Sequence, residues 1–362
     1  MAILHGGQLS RVAKQYQIPE NEWLDLSTGI APFSYSIPAI PAKAWQDLPT
    51  ISSSLIEAAK HYYRAAFCWP VAGSQQLIEK LPELWTEKVN EKLNEKLNQR
   101  ESEKYDVKNN RVENAEIKHA YLPKVGYKEH QQAWSKAGYQ LHFYQQCLPD
   151  NIEKNSIVVV INPNNPLTDT FTVSQLLSLK KHCEQQQALL IIDEAFADIF
   201  ALAFSFVPHI INHQHAHNDV IVLRSFGKFF GLAGVRIGFA CSTQAWCETI
   251  KNSIGPWSIN GPALFIAEQA LQDKQWQAEQ NKRLQQQSQI MQQLLKTYLP
   301  SARVEANALF ITVFLINAPA IYEQLCQQAV YVRLTDENNA LRFGLTVEAN
   351  IQRLTNALAT II

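Results

Sequence analysis

Residues 224–239, RSFGKFFGLAGVRIGF, gather the residue types that could do covalent chemistry. Lys228 directly follows a β-rich run and sits in a small, glycine-bearing turn. A lysine amine presented there can condense with an aldehyde cofactor. Ser225 stands three residues before it and Arg236 eight after. One hydroxyl and one planar, permanently charged guanidinium suit a phosphate dianion. Gly231 and Gly234 allow close backbone approach. Two other readings compete. A lysine in a glycine-rich turn can be a plain surface residue. Ser225 and Lys228 also have the S-x-x-K spacing of serine acyl enzymes, but the S-D-N and K-T-G strings that accompany it do not occur.

Other polar groups stand just after apolar runs. Asp193 closes such a run in IIDEAFAD (191–198), where a helix cap is the plainer reading. INPNNPLTDT (161–170) carries Asn165 in a strong turn signal. PVAGSQQLIEKLP (70–82) reads as a turn led by Gly73 that opens a helix. Backbone N–H groups at such a start, at Gly73, Ser74 and Gln75, suit a phosphate, although an ordinary N-cap also fits. LPKVGYKEHQQAW (122–134) offers Tyr127 and His130. Arg342 in ALRFGL and Arg333 in YVRL are candidate anion binders, or else surface ion pairs.

These residues need a scaffold. Residues 156–162, 188–193, 219–226 and 235–242 read as strands, because they are apolar, β-branched runs. An amphipathic helix is expected from about Thr172. Strand–helix–strand order with continuous apolar strands indicates a largely parallel, helix-covered sheet. Ligands of such sheets sit beyond the carboxyl ends of the strands, where the groups above fall. Downstream, one Gln-rich helix is expected over 262–299, followed by strands and a helix of a smaller α+β unit. Expected boundaries are 1–45 for an N-terminal segment over the small domain and site, 46–255 for the large domain, and 256–362 for the small domain. Residues 86–118 are charged, Asn-rich and repetitive (NEKLNEKLN), and read as a solvated helix or partly disordered insertion.

Position for position, Ser225, Lys228, Gly231, Gly234, Arg236 and Gly238 resemble the lysine motif of class I and II aminotransferases, SFSKxFGLAGxRxGY. That resemblance implies an α/β protein of the pyridoxal 5'-phosphate (PLP)-dependent transferase fold type I, with a large mostly parallel-sheet domain plus a smaller α+β domain. It implies PLP on Lys228, with Lys228 and Asp193 catalytic. Asp193 would hold the cofactor's pyridine nitrogen protonated. Opposite charges about 3 Å apart attract by roughly 5 kcal/mol at an effective dielectric of about 20, before desolvation. Asn165 would donate to the phenolic oxygen, and Gly73, Ser74, Gln75, Ser225 and Arg236 would hold the phosphate. Tyr127 would stack on the ring and His130 would support Asp193, or the reverse. Arg342 would grip the substrate carboxylate, with Arg333 a second anion site. Phe196, Leu167–Thr168 and Ala31 depart from the usual Tyr, Thr-Gly and Asn.

HGG (5–7), DLSTGIAP (25–32) and DEAFAD narrow the resemblance to the branch that decarboxylates L-threonine O-3-phosphate to aminopropanol phosphate for cobalamin biosynthesis. The alternative is a histidinol-phosphate-type aminotransferase. On the first reading His5, Gly6, Gly7 and Ser27 join Arg333 and Arg342 around a small phosphorylated amino acid, and a homodimer is implied.

Composition sets outer bounds. The 362 residues are 46% hydrophobic, with 32 basic and 33 acidic side chains. Neither a basic surplus for nucleic acid nor a polybasic run for anionic membrane is present. The six cysteines show no zinc spacing, so no metal is expected. The opening MAILHGGQLS lacks a signal-peptide pattern, and no apolar run approaches a membrane span, so a cytoplasmic protein is expected.

Overall fold

The computed structural model describes residues 6–103, 118–210 and 218–361. Its largest sheet has seven strands, in the spatial order Phe67–Val71, Gly238–Ser242, Val220–Ser225, Leu189–Asp193, Ile157–Ile161, His119–Pro123, Gln140–Tyr144. All neighbours run parallel except Gly238–Ser242, which is antiparallel to both of its neighbours. The central strands are apolar on both faces because helices cover both. Every residue of Ile157–Ile161 is buried, and each such side chain stabilises the fold by roughly 1.5–3 kcal/mol relative to exposure.

Three of the seven strands carry little sequence signal. Phe67–Val71 and His119–Pro123 contain proline, and Gln140–Tyr144 is half-exposed at the sheet edge. The strand expected over 235–242 begins only at Gly238, because Ala233–Val235 form a 3₁₀ turn and Arg236 is left-handed (φ 58°). The expected helix after Thr172 spans Val173–Gln185, with Thr172 and Gln175 forming a reciprocal capping box.

A helix from Ser74 to Glu103 leads away from the Gly73 turn. Leu77, Ile78, Leu81, Leu84 and Trp85 are buried at helical spacing, and Val89 packs partly buried against the same cluster. Lys88 and Lys92 pin the next turns to Asp219, at 2.6 and 3.1 Å. The insertion expected over 86–118 is thus helical through Glu103, and its remainder, 104–117, lies outside the described residues.

The long Gln-rich helix expected over 262–299 is two helices, Gly261–Gln272 and Lys274–Tyr298. Asp273 separates them and caps the second, its carboxylate accepting the Trp276 N–H at 3.0 Å. Beyond them a four-stranded antiparallel sheet has the order Arg333–Leu334, Ala340–Gly344, Phe310–Phe314, Arg303–Ala306. The N-terminal segment ties the two parts together. Leu24–Asp25 pairs with Val330–Tyr331, and the Gly344 N–H donates to Leu26 O at 2.6 Å. Farther on, the Ala31 N–H donates to Lys228 O at 2.9 Å. No helix among the described residues is long and apolar enough to cross a membrane.

Candidate active site

Lys228 lies in a helical turn, Phe226–Phe229, that follows the strand Val220–Ser225. Phe226 and Phe229 are fully buried, and Phe226 stacks on Phe230 at 4.3 Å. Those anchors fix the turn and leave the lysine side chain lining a cavity of about 220 Å³. Lys228 Nζ makes no hydrogen bond or ion pair among the described residues. Burial first, then the charges of Arg342 and Arg236, pull its pKa down to about 8.

The phosphate-type groups meet on one side of that cavity. Ser225, Arg236, Gly73, Ser74 and Gln75 all line it. Gly73 has φ +77°, and a Cβ there would lie 2.8 Å from Arg236 Nη2. Only glycine therefore gives both the turn and the room for the guanidinium.

Asp193, at its strand's carboxyl end, is 3% exposed. Its Oδ1 accepts the Ala195 N–H at 3.0 Å, and its Oδ2 lies 2.9 Å from His130 Nε2. His130 is buried behind the aspartate and does not line the cavity. Tyr127 does line it, and its hydroxyl donates to Gln75 Oε1 at 3.0 Å. Burial pushes that hydroxyl up to about 12, so it stays protonated.

The asparagines of the 161–170 loop divide their work. Asn162 bonds Phe171 through both side-chain atoms, and Asn164 Nδ2 donates to Val125 O at 2.9 Å. Asn165 alone lines the cavity, and its Oδ1 accepts from Arg342 Nη1 at 2.5 Å. Its amide NH₂, a donor, remains for a ligand. Thr168 keeps a left-handed backbone (φ 69°) and bonds Asn164 O through its N–H at 3.0 Å. The turn survives at a position where a β-branched residue is strained.

Arg342 is 4% exposed and has no ion pair among the described residues. Burial, then the neighbouring Arg333, lowers it to about 9, still above neutral pH. Its Nη2 donates to Ser27 O at 2.6 Å, while its buried Nε has no partner. Among the described residues Arg333 comes no closer to a carboxylate than 3.9 Å, at Asp336. Among the described residues, four cationic side chains, Lys228, Arg236, Arg333 and Arg342, thus line a cavity with one carboxylate, Asp193.

The N-terminal expectations divide. Gly6 lines the cavity. Ser27 is fully buried, its hydroxyl accepting the Gly7 N–H at 2.7 Å. Ser27 and Gly7 do not line the cavity and instead fix the strand of chain that holds Arg342. His5 lies outside the described residues. Ala31 is buried and also stands back from the cavity. Thr28, Gly29, Ala195 and Phe196 line it without having been singled out as site residues. All four lie within DLSTGIAP or DEAFAD, so the motifs were visible although the inward-facing members were not.

Comparisons with known proteins bear on this geometry. The family model described as aminotransferase class I and II matches residues 115–358. A threonine-phosphate decarboxylase of Pseudomonas aeruginosa is 34% identical over 357 residues, covering 98% of this chain and 96% of the relative. A second threonine-phosphate decarboxylase, from Sinorhizobium sp, is 31% identical, covering 99% and 98%. Among solved structures, a histidinol-phosphate aminotransferase of Sinorhizobium meliloti in complex with pyridoxal-5'-phosphate has a TM-score of 0.74 at 16% identity. That alignment covers 100% of this chain and 96% of that one, and it is a likeness of fold.

Proposed function

We propose that this chain, which belongs to the aminotransferase class I and II family, decarboxylates L-threonine O-3-phosphate to aminopropanol phosphate in cobalamin biosynthesis. Its cofactor is PLP, the cofactor of that family. The residues present fit it. The Gly73 cradle, Ser225 and Arg236 match a phosphate, the Asp193–His130 pair matches a protonated ring nitrogen, and Lys228 has an unengaged amine.

One observation carries the substrate class. Arg342 is a buried cation without a carboxylate partner, and Arg333 beside it is barely paired. A buried charge left unpaired is costly, so such a group calls for an anion from outside. Arg236 serves the cofactor phosphate. Two guanidiniums remain, and a phosphorylated amino acid brings two anions, a carboxylate and a phosphate. We assign Arg342 to the carboxylate and Arg333, with Gly6, to the phosphate.

Bound at Lys228, PLP supplies an electron sink for bonds to the substrate α-carbon. Asp193 holds the proton of the ring nitrogen through an opposite charge, and His130 fixes that carboxylate. Tyr127 would offer its face to the ring, and the Asn165 amide would donate to the phenolic oxygen. Arg342 sets the carboxylate's direction, which selects the bond that breaks. Lys228, with a pKa near 8, can carry a proton and would supply it to the α-carbon in place of the bond lost to CO₂.

We place the reaction in the cytoplasm, where free thiols persist. All six cysteines are unpaired. A homodimer, which the family resemblance implies, would give exposed apolar side chains such as Trp45 (67%), Leu48 (66%) and Trp257 (60%) a surface to meet.

PLP-loaded protein given L-threonine O-3-phosphate without a keto acid is expected to release CO₂ stoichiometrically. Amino transfer from histidinol phosphate to 2-oxoglutarate without CO₂ would assign an aminotransferase instead. Borohydride treatment is expected to fix the cofactor on the peptide containing Lys228.

A further inference from the structure

Across the four-stranded sheet, Arg333, Arg342, Thr312 and Glu305 stand opposite one another in register, each on its own strand. Directly opposed residues share a face, so the four side chains form one row. Arg333 and Arg342 line the cavity. The row also reaches the 161–170 loop, which follows the strand Ile157–Ile161 of the seven-stranded sheet. Arg342 Nη1 donates to Asn165 Oδ1 at 2.5 Å, and the fully buried Thr312 hydroxyl donates to Pro166 O. The Thr168 hydroxyl donates to Glu305 Oε2 at 3.3 Å. The base of the loop is tied on its own side, Asn162 to Phe171 and Asn164 to Val125. Its tip is gripped from the four-stranded sheet. Thr168 joins that grip through a hydroxyl that the usual glycine lacks.

We infer that Thr312, assisted by Glu305, is a positioning residue for the cofactor site: it fixes the loop tip so that the Asn165 amide meets the phenolic oxygen. The inference rests on the assignment of Asn165 to that oxygen, and not on which substrate bond breaks. A proline ring locks its own φ and restricts the residue before it. Holding the Pro166 carbonyl therefore also limits where the Asn165 backbone can go. Arg342 turns the Asn165 side chain, but that side chain reaches only as far as its backbone allows. Hydrogen bonds weaken steeply when their geometry is poor, so the donor depends on both anchors. The consequence falls on the nitrogen that joins Lys228 to the cofactor. When that nitrogen is unprotonated, the neighbouring phenolic oxygen bears its charge alone, and a donor stabilises that state more. A well-placed Asn165 thus lowers the pH at which the nitrogen loses its proton, and a displaced one lets that pH rise.

The test follows the visible absorption of PLP-loaded protein against pH, with no substrate present. Asn165→Ala is expected to raise the midpoint by about one pH unit. Thr312→Val keeps the shape and removes the hydroxyl, and is expected to raise it by roughly half as much. Thr312→Ser, which keeps the hydroxyl, is expected to titrate like the wild type. The double variant Thr312→Val with Asn165→Ala is expected to titrate like Asn165→Ala alone, because Thr312 acts through Asn165. Glu305→Ala changes a half-exposed side chain and carries the test if Thr312→Val does not fold. It is expected to raise the midpoint by about 0.3 pH unit. A midpoint that Asn165→Ala moves and Thr312→Val does not overturns the inference, as does an unmoved Glu305→Ala where Thr312→Val cannot fold. Shifts that add in the double variant overturn it too, as does a Thr312→Ser that shifts as far as Thr312→Val. A midpoint unmoved by Asn165→Ala overturns the assignment of Asn165 itself, and this inference with it.

Discussion

Two clusters of buried charge lie one residue apart along the same two strands, and they differ in one respect. Asp193 and Ser225 line the cavity with Lys228. Their chain neighbours Glu194 and Arg224 do not, because successive strand residues point to opposite faces. On that far side Arg224 meets Glu194 at 2.5 Å and Asp198 at 2.8 Å. Ser205 and the Phe206 N–H both donate to Glu194 at 2.6 Å. Charge there is answered from within the protein. On the cavity side Arg342 is just as buried, yet no carboxylate answers it. An arginine answered by internal carboxylates is architecture, and one bonded only to neutral groups is a candidate to meet an anion from outside.

The sharpest way to break this contrast starts at its centre. Lys228→Ala is expected to abolish borohydride-fixed cofactor and to cut turnover by about 10³-fold or more, as loss of a proton carrier does. Mass spectrometry of the labelled peptide and a CO₂ assay check both. Next, Arg224→Met strands two buried carboxylates and is expected to cost roughly 3–5 kcal/mol of stability, read by denaturant unfolding. Arg342→Met is expected to leave stability level or raised in the cofactor-free protein, while raising KM for the phosphorylated amino acid by about 10²-fold. Equal destabilisation by the two would dissolve the distinction between architecture and site.

A pH experiment sharpens the same point. The pKa of Lys228 is depressed from 10.5 to about 8 by burial and by cations, so the folded state disfavours its charged form. Between those values the unfolded chain binds the extra proton, so this group makes cofactor-free protein more stable as pH rises through that window. Arg342→Met removes a contributing charge and is expected to move the Lys228 acylation midpoint upward. The smallest effect belongs to a half-exposed pair, Lys128 and Glu337, 3.5 Å apart. Glu337→Gln is expected to change stability by less than about 1 kcal/mol, and salt to erase the difference.

Much of the site was legible because its chemistry lies in short contiguous strings. Lys228 with Ser225 and Arg236, Asp193, and the Gly73 turn each stand beside a readable strand or helix start. The fold was legible where apolar runs are long, as in Ile157–Ile161 and Leu189–Asp193. It was not legible at Phe67–Val71 or Gln140–Tyr144, where proline or half-exposure blurs the pattern. Nor could periodicity reveal that Asp273 divides the Gln-rich helix, since a cap depends on which N–H groups its carboxylate meets.

By itself the sequence showed the candidate lysine, the family's motifs and the long apolar strands, because these depend on residue type and local spacing. The tertiary structure alone decided which charges are answered. Nothing local to Arg224 or Arg342 distinguishes two buried arginines on strands. Arg224 meets carboxylates from residues 194 and 198, while Arg342 meets Asn165 and the Ser27 carbonyl, groups far apart in the chain that carry no charge to neutralise it. Pairing depends on through-space distance, and only the folded chain sets that distance.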